Sequence, residues 1–424
     1  MQPGSPGRDP NAAGRSASQL AVWYSPHALG GVETFLQRYV SRDASAVVAA
    51  VQSLEGPMKP AWPAGSSIVD WTSFWPAFMR ESDPRHACEA IVRTLLELRP
   101  AIVNLNDCVS FALGAVPLLR AIRPYCVVVD LVHVEPQEDD FVRHRLRYLP
   151  LLDGLVATSR NAIERLRASS VSARDLPMRY IPYGVPAAQG QRSPSTRHLR
   201  LLYVGRLQDE QKRVSLLPRI LRLLADRGRE FHLTLVGDGP ERARLEQEFA
   251  ALGLRDSVTF AGLVRPEAVG AFCLDNDVLL NVSRYEGFPI TIIEAMSAGC
   301  VPLLTNLPSV DSAVLMSGRN CLTVPVDAPE RAADLLSSVT PSELEEMSVA
   351  ARRTGTWFTV ERMVGEYHAF FEELASSRPT KEWPSRLAVR WDPSEGNPWL
   401  PPAGMRGRMA AMLRKMAALT RSSR

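Results

Sequence analysis

Glu286 and Glu294 are two carboxylates separated by seven residues, and they flank a pattern that could bind phosphate. The apolar run at 277–282 predicts a buried parallel strand, and Gly287 opens a turn directly after it. A helix is predicted to run from Pro289 to about residue 297, and its first N–H groups have no partner within the helix. Such a helix start is a natural seat for a phosphate group or a polar sugar.

Glu294 is the one charged residue in an otherwise apolar helix. Most glutamates are surface acids, and this interpretation stays open for both Glu286 and Glu294. The apolar neighbours of Glu294 are Ile290, Ile292, Ile293, Ala295 and Met296. Because an unpaired buried charge is costly, a carboxylate in these surroundings needs a partner.

Arg206 and Lys212 are the cations best placed to neutralise a phosphate beside these carboxylates. They follow the apolar run at 199–204, which predicts another parallel strand. Arginine offers phosphate oxygens a planar fork, and lysine offers a mobile point charge. Together they could stabilise a departing phosphate as a metal ion does elsewhere. Without the neighbouring glutamates, either residue would more simply be a surface cation on a loop.

A metal-binding motif is suggested only superficially, by the sequence Asp275-Asn276-Asp277. It precedes a predicted strand, where aspartate is typical of turns. We therefore expect no metal ion and no other bound cofactor.

The segment from Ser283 to Gly299 reads S-R-Y-E-G-F-P, then four residues, then E-A-M-S-A-G. This string resembles the donor-site motif of retaining glycosyltransferases with the GT-B fold, the family called glycosyl transferases group 1. The resemblance covers roughly residues 19–375 and is strongest from 199 to 326. It implies an α/β fold of two Rossmann-like, doubly wound domains that face each other across a cleft.

The activity that the resemblance implies is transfer of a sugar from a nucleotide-diphosphate sugar, with its anomeric configuration retained. The acceptor would be a glycan or a lipid-linked glycan, in cell-envelope or polysaccharide synthesis. A non-catalytic subunit that binds nucleotide sugars stays open as an alternative. So does a sugar-nucleotide epimerase, which shares the fold but lacks the E-G-F-P string.

The resemblance also assigns roles to individual residues. Glu294 would accept hydrogen bonds from the ribose hydroxyls, and Glu286 would hold a hydroxyl of the transferred sugar. The residues implied to be catalytic are His133, Glu286, Arg206 and Lys212. The residues implied to bind the donor are Gly31, Gly205, Arg206, Lys212, Gly237, Gly262, Leu263, Val264, Glu286, Gly287, Phe288, Pro289, Ile290 and Glu294.

Two of these residues lie in the first half of the chain, where their patterns alone are weak. Gly30 and Gly31 follow the predicted strand at 19–24, but a lone glycine pair is more often only a turn. His133 ends a predicted buried strand, and a single histidine there is usually structural. Both gain support only from the resemblance, and Tyr183 departs from it by standing where the family usually has asparagine.

Strands that alternate with helices predict a parallel, doubly wound sheet in each of two domains. The predicted divisions are a disordered lead-in at 1–18, a first, acceptor-binding domain at 19–186, a flexible linker at 187–198, a second, donor-binding domain at 199–355, a helix crossing back to the first domain at 356–375 and a basic tail at 376–424.

Composition fits this picture. The chain has 424 residues, of which 46% are hydrophobic, and its net charge of +3 is too small to argue for nucleic acid as a partner. Six cysteines without a C-x-x-C pair are typical of reduced thiols in a cytosol. No apolar run is long enough for a membrane span, so we expect a cytoplasmic protein, located at the inner face of the membrane if its acceptor is lipid-borne.

The tail carries the first testable prediction. From Gly396 to Arg424 it has no acidic residue, and five apolar residues share one helical stripe: Met409, Met412, Leu413, Met416 and Leu419. A basic amphipathic helix of this kind lies on anionic membranes. Docking on the first domain and disorder stay open as alternatives. The full chain should therefore sediment with anionic liposomes, and a chain ending near Arg378 should not; equal behaviour of the two would contradict the prediction.

Overall fold

The computed structural model describes residues 19–23, 31–50, 62, 64, 66–70, 97–106, 116, 126–133, 142, 145–146, 149–190, 192 and 198–376. The predictions for Gly30, for the lead-in at 1–18 and for the tail after Ser376 lie outside these residues. Within them, no helix combines the length and the apolarity needed to cross a bilayer.

The first domain is built on a parallel sheet of seven strands in the order β3-β2-β1-β4-β5-β6-β7. The strands are β1 (Gln19–Trp23), β2 (Ala46–Ala50), β3 (Ser67–Asp70), β4 (Ile102–Asn104), β5 (Val127–Val132), β6 (Gly154–Ala157) and β7 (Met178–Tyr180). The valine-rich strand β5 is buried along its whole length, as expected for a parallel sheet covered on both faces.

The second domain is built on six parallel strands in the order β10-β9-β8-β11-β12-β13. The strands are β8 (Leu199–Val204), β9 (Phe231–Val236), β10 (Val258–Gly262), β11 (Val278–Asn281), β12 (Val301–Thr305) and β13 (Leu322–Val324). Their side chains pack with the surrounding helices into a leucine- and valine-rich core.

Helices connect the strands in both domains. Within the described residues they are α1 (Gly31–Val40), α2 (Arg160–Ser169), α3 (Val171–Asp175), α4 (Asp209–Lys212), α5 (Leu216–Asp226), α6 (Arg242–Ala251), α7 (Val269–Asp275), α8 (Ile290–Ala298), α9 (Pro329–Ser338), α10 (Pro341–Gly355) and α11 (Val360–Ser376).

The strand order reverses at β1/β4 in the first domain and at β8/β11 in the second. In open α/β sheets, ligands bind beyond the carboxyl ends of the strands at such a point. The predicted α/β class with two Rossmann-like, doubly wound domains is confirmed. Strands β3 and β7 were not predicted, because both are short segments with little apolar periodicity.

Helix α11 returns to the first domain and packs tightly against it. A β-carbon added at Gly154, the first residue of β6, would lie 2.6 Å from the side chain of Leu374. The connection between the domains is equally tight, because a β-carbon at Gly184 would lie 2.5 Å from the carbonyl oxygen of Thr359. These two glycines allow the chain segments to meet without a side chain between them.

Two sequence-based expectations need correction. Pro289 has φ −60° and ψ 129°, so it is the N-cap residue and helix α8 begins at Ile290. The linker predicted to be flexible is anchored at Arg192, whose guanidinium lies 2.5 Å from a carboxylate oxygen of Asp277.

The four cysteines in the described residues are all free and buried: Cys126, Cys273, Cys300 and Cys321. This agrees with the expectation of reduced thiols. Burial raises the pKa of the Cys321 thiol to about 12 and that of Cys300 still higher, so neither thiol is a nucleophile near neutral pH.

Candidate functional site

A cavity of about 550 Å³ lies between the two domains, at the carboxyl ends of the central strands. We call it the interdomain cavity. The predicted site residues that line it are Gly31, His133, Gly205, Arg206, Lys212, Gly237, Leu263, Val264, Glu286, Gly287, Phe288, Pro289, Ile290 and Glu294. Gly262 lies behind the lining, where its carbonyl oxygen accepts a hydrogen bond from the N–H of Gly237 at 2.8 Å.

The loops after β8 and β9 form one wall of the interdomain cavity. Gly237 has φ +134°, and a β-carbon there would collide with the carbonyl oxygen of Gly205. Both the conformation and the close approach therefore require glycine. The packing places the backbone of both loops at the cavity, next to Arg206.

Arg206 and Lys212 have different surroundings. The guanidinium of Arg206 donates hydrogen bonds to the neutral amides of Gln208 and Gln211, at 2.9 and 3.1 Å. Among the described residues, no carboxylate lies within ion-pair distance of it. The ammonium of Lys212, in contrast, lies 2.5 Å from a carboxylate oxygen of Glu286. Arg206 is thus the cation whose charge is left for an anionic ligand.

Glu286 is buried in the loop that follows β11. Besides Lys212, it accepts hydrogen bonds from the hydroxyl of Ser283 at 2.7 Å and from the amide of Gln211 at 3.4 Å. These contacts compensate for the desolvation of the carboxylate and hold its orientation. A carboxylate held in this way can accept a hydrogen bond from a sugar hydroxyl.

Gly287 allows the loop that carries the E-G-F-P string to pack directly against the first domain. A β-carbon on this residue would collide with the carbonyl oxygen of His133 and would lie 2.8 Å from the hydroxyl of Thr158. The glycine of the E-G-F-P string therefore permits a direct backbone approach between the domains. A larger residue at this position would collide with the backbone of His133.

His133 is buried immediately after β5. Its Nδ1 atom lies 2.6 Å from the hydroxyl oxygen of Tyr183, and its ring packs against the Phe35 ring, with the centroids 5.5 Å apart and the planes at 64°. Burial, together with the positive charge of Arg145, lowers the pKa of the His133 imidazole to about 3. The ring is therefore neutral at physiological pH.

Glu294 has a partner that the sequence does not point to. Arg38, on α1 of the first domain, forms a largely buried ion pair with its carboxylate and donates to the carbonyl of Gly184 at 3.3 Å. Burial raises the pKa of Glu294, and the Arg38 charge opposes that effect. The N-termini of the two helices also meet, since a β-carbon at Gly31 would lie 3.8 Å from the side chain of Ile290.

Three residues of the site were missed by sequence reasoning: Arg38, Gln211 and Tyr183. Only a weak signal was available for each. The isolated carboxylate of Glu294 indicated that a partner is needed but did not identify it. Tyr183 was noticed only because it stands where the family usually has asparagine. The aspartate motif rejected as a metal site is a salt-bridge centre, because Asp277 pairs with two arginines, Arg192 and Arg200.

Comparison with known proteins agrees with this geometry. Residues 189–354 match the family described as Glycosyl transferases group 1. The GDP-mannose:cellobiosyl-diphosphopolyprenol alpha-mannosyltransferase of Xanthomonas campestris is 29% identical over 238 residues. That match spans 51% of this chain and 61% of the relative, which is less than two thirds of the relative's length.

Two solved structures share the fold. The lipopolysaccharide outer core galactosyltransferase WaaB has a TM-score of 0.63 at 21% identity, and covers 84% of this chain and 99% of its own. Anabaena Alr3699/HepE in complex with UDP and glucose has a TM-score of 0.68 at 16% identity, with the same coverage of both chains. At these identities the likeness concerns the fold.

Proposed function

We propose that the chain, whose residues 189–354 match the glycosyl transferases group 1 and whose fold is GT-B, transfers a sugar from a nucleotide-diphosphate sugar to a glycan or lipid-linked acceptor. One observation carries this proposal. Arg206, Lys212 and Glu286 converge in a cavity at the strand-order reversal of the second domain, and His133 of the first domain lines the same cavity.

The donor would lie along the second domain. Arg206 would bind the diphosphate, and Lys212 would divide its charge between the diphosphate and Glu286. Glu294 would accept hydrogen bonds from the ribose, next to the N-terminus of helix α8. The solved neighbour in complex with UDP and glucose makes uridine diphosphate sugars the first donors to test, and the mannosyltransferase relative adds GDP-mannose.

Retention of configuration would follow from front-face attack. The bond between the anomeric carbon and the phosphate oxygen breaks, and the acceptor oxygen bonds to the same face of that carbon. The proton of the acceptor hydroxyl passes to a donor phosphate oxygen, and the nucleoside diphosphate leaves. The described side chains would act by orientation and charge stabilisation, and Glu286, held by Lys212 and Ser283, suits binding better than nucleophilic attack.

A donor screen followed by a transfer assay tests the proposal. Thermal shifts with UDP, GDP and their sugars identify the nucleotide. The matching labelled donor is then incubated with and without a polyprenyl-diphosphate glycan acceptor. Label in the acceptor fraction supports a transferase. Donor isomerised without acceptor would indicate an epimerase, and donor bound but not consumed would indicate a binding subunit.

Independence from metal ions is a further prediction. Two cations flank the predicted phosphate position, and Asp277 is already engaged by two arginines. Transfer should therefore persist in excess chelator. A loss of activity that magnesium or manganese alone restores would contradict it, and chelation of a known metal-dependent transferase in the same buffer is the control.

Peripheral membrane contact at the inner face of the cytoplasmic membrane also stays a proposal. It rests on the basic amphipathic tail after Gly396 and on the lipid-linked substrate named for the Xanthomonas relative.

A further inference from the structure

Tyr183 contacts His133 in two ways. The two rings are stacked, with their centroids 5.9 Å apart and their planes at 13°. The hydroxyl oxygen of Tyr183 also lies 2.6 Å from His133 Nδ1. Tyr183 is buried, and it directly precedes Gly184, which is pressed against the crossover connection. The tyrosine is thus held between the histidine and the junction of the two domains.

The short distance fits the tyrosine hydroxyl as the donor of this hydrogen bond. Hydroxyl donors reach acceptors at about 2.5–3.0 Å, whereas N–H···O bonds cluster near 2.9–3.0 Å. A separation of 2.6 Å therefore fits a tyrosine O–H that donates to an unprotonated Nδ1. A neutral imidazole with an unprotonated Nδ1 carries its proton on Nε2.

His133 Nε2 is the polar atom of this ring that is left for a ligand. It is buried and has no hydrogen-bond partner among the described residues. Buried polar atoms are nearly always satisfied in native proteins, so an orphaned one beside a binding cavity indicates a ligand contact. His133 lines the interdomain cavity together with Glu286 and Gly287.

We propose that Tyr183 is a positioning residue for sugar transfer, which holds His133 in the Nε2–H tautomer by donating to Nδ1. The Nε2–H group then donates a hydrogen bond to an oxygen of the transferred sugar. This inference rests on the proposed function. It assigns the tautomer of His133. It therefore also states that the imidazole donates, and the nucleotide sugar accepts, the hydrogen bond between them.

The surroundings of His133 favour a neutral ring. The residue of helix α1 that packs against its ring is Phe35, which has no charge. The charged or titratable groups that line the cavity with His133 are Glu33, Tyr183, Arg206, Lys212, Asp238, Tyr285, Glu286 and Glu294. Arg145 is the charge that acts on the His133 pKa, and it lowers that pKa together with burial. The hydrogen bond from Tyr183 acts in the same direction, because an imidazolium has no free Nδ1 lone pair to accept it.

Histidine-selective ¹⁵N spectroscopy of the full chain tests the tautomer without any ligand. The resonances of His133 are assigned by their loss in His133→Gln. In the wild-type protein we expect the Nε2–H form at pH 7 and no protonation down to about pH 5. In Tyr183→Phe we expect a mixture of tautomers and a higher midpoint of protonation.

Tyr367→Phe is the matched control. Tyr367 is buried in the same aromatic cluster, 5.6 Å from the Phe35 ring, and its hydroxyl has no partner among the described residues. This variant removes an equivalent hydroxyl without touching Nδ1. It should leave the His133 spectrum as in the wild-type protein.

Turnover of the nucleotide sugar completes the test. Tyr183→Phe should lower kcat by about tenfold or more, while the donor KM changes by less than about threefold. Tyr367→Phe should retain wild-type turnover. An unchanged His133 tautomer in Tyr183→Phe overturns the proposal, and so does a changed tautomer with unchanged kcat. If the wild-type chain transfers no sugar, the proposed function fails, and the spectra still decide whether Tyr183 sets the tautomer.

Discussion

Arg206→Ala is expected to lower the rate of sugar transfer by about two orders of magnitude or more. Loss of a desolvated, charge-assisted contact to the transition state costs about 2–4 kcal/mol, and each 1.4 kcal/mol is about a factor of ten in rate. Arg206 is the cation lining the cavity with no carboxylate in ion-pair range among the described residues, so a bound diphosphate would receive its full charge. The measurement is kcat/KM for the donor identified by the screen.

Two further variants separate charge from geometry. Arg206→Lys keeps the charge but loses the planar fork, so it should recover only part of the rate. Arg255→Ala removes an exposed arginine on a turn outside the cavity and should leave the rate unchanged. Because the partners of the Arg206 guanidinium among the described residues are two neutral amides, its loss should barely change the unfolding temperature. Wild-type turnover in Arg206→Ala would contradict the assignment.

Arg38→Ala is expected to lower the free energy of unfolding by about 3 kcal/mol at neutral pH. The substitution leaves Glu294 buried without its cation, and breaking one side of a buried ion pair typically costs about 3–5 kcal/mol. The double variant Arg38→Met/Glu294→Gln should recover most of the loss. Arg219→Ala is the control, since its ion pair with Glu330 is exposed and should contribute less than about 1 kcal/mol.

The pH dependence of stability reports the same ion pair. Burial raises the pKa of folded Glu294 above the ordinary value of 4.5, so above that pH the folded chain keeps a proton that the unfolded chain releases. Stability contributed by Glu294 is therefore lost as the pH rises through the interval between the two pKa values. Arg38→Ala should extend this loss of stability to higher pH, and Glu294→Gln should abolish the pH dependence that Glu294 contributes. Denaturant unfolding from pH 4.5 to 8 measures both effects.

The same ion pair bears on donor binding. If Glu294 accepts hydrogen bonds from the ribose, Arg38 orients that carboxylate from the other domain and favours its ionised form against the effect of burial. Arg38→Ala should then weaken nucleotide affinity as well as stability. A variant that loses stability but binds the nucleotide as tightly as the wild-type protein would separate the structural role of Arg38 from the binding role proposed for Glu294.

The local features of the donor-binding half could be predicted from the sequence. Apolar runs, the proline and the glycine that delimit helix α8, and the spacing of Glu286 and Glu294 act over a few residues. The physical causes of these features are local as well. They are the burial of the strand, the absence of an N–H group on Pro289 and the left-handed φ of +81° at Gly299. The element types of the second domain and the loop position of Glu286 followed from them.

Only the tertiary structure decided which side chains meet. Arg38 and Glu294 are 256 positions apart, and Lys212 and Glu286 are 74 apart. No periodicity encodes such pairs, because they depend on how two separately wound sheets face each other across the cleft. The contact between Tyr183 and His133 arises in the same way, at the junction where the chain passes between domains. The sequence by itself therefore determined the helices and strands around the site and the chemical types of its side chains. The packing of the two domains determined which acidic side chain pairs with which basic one.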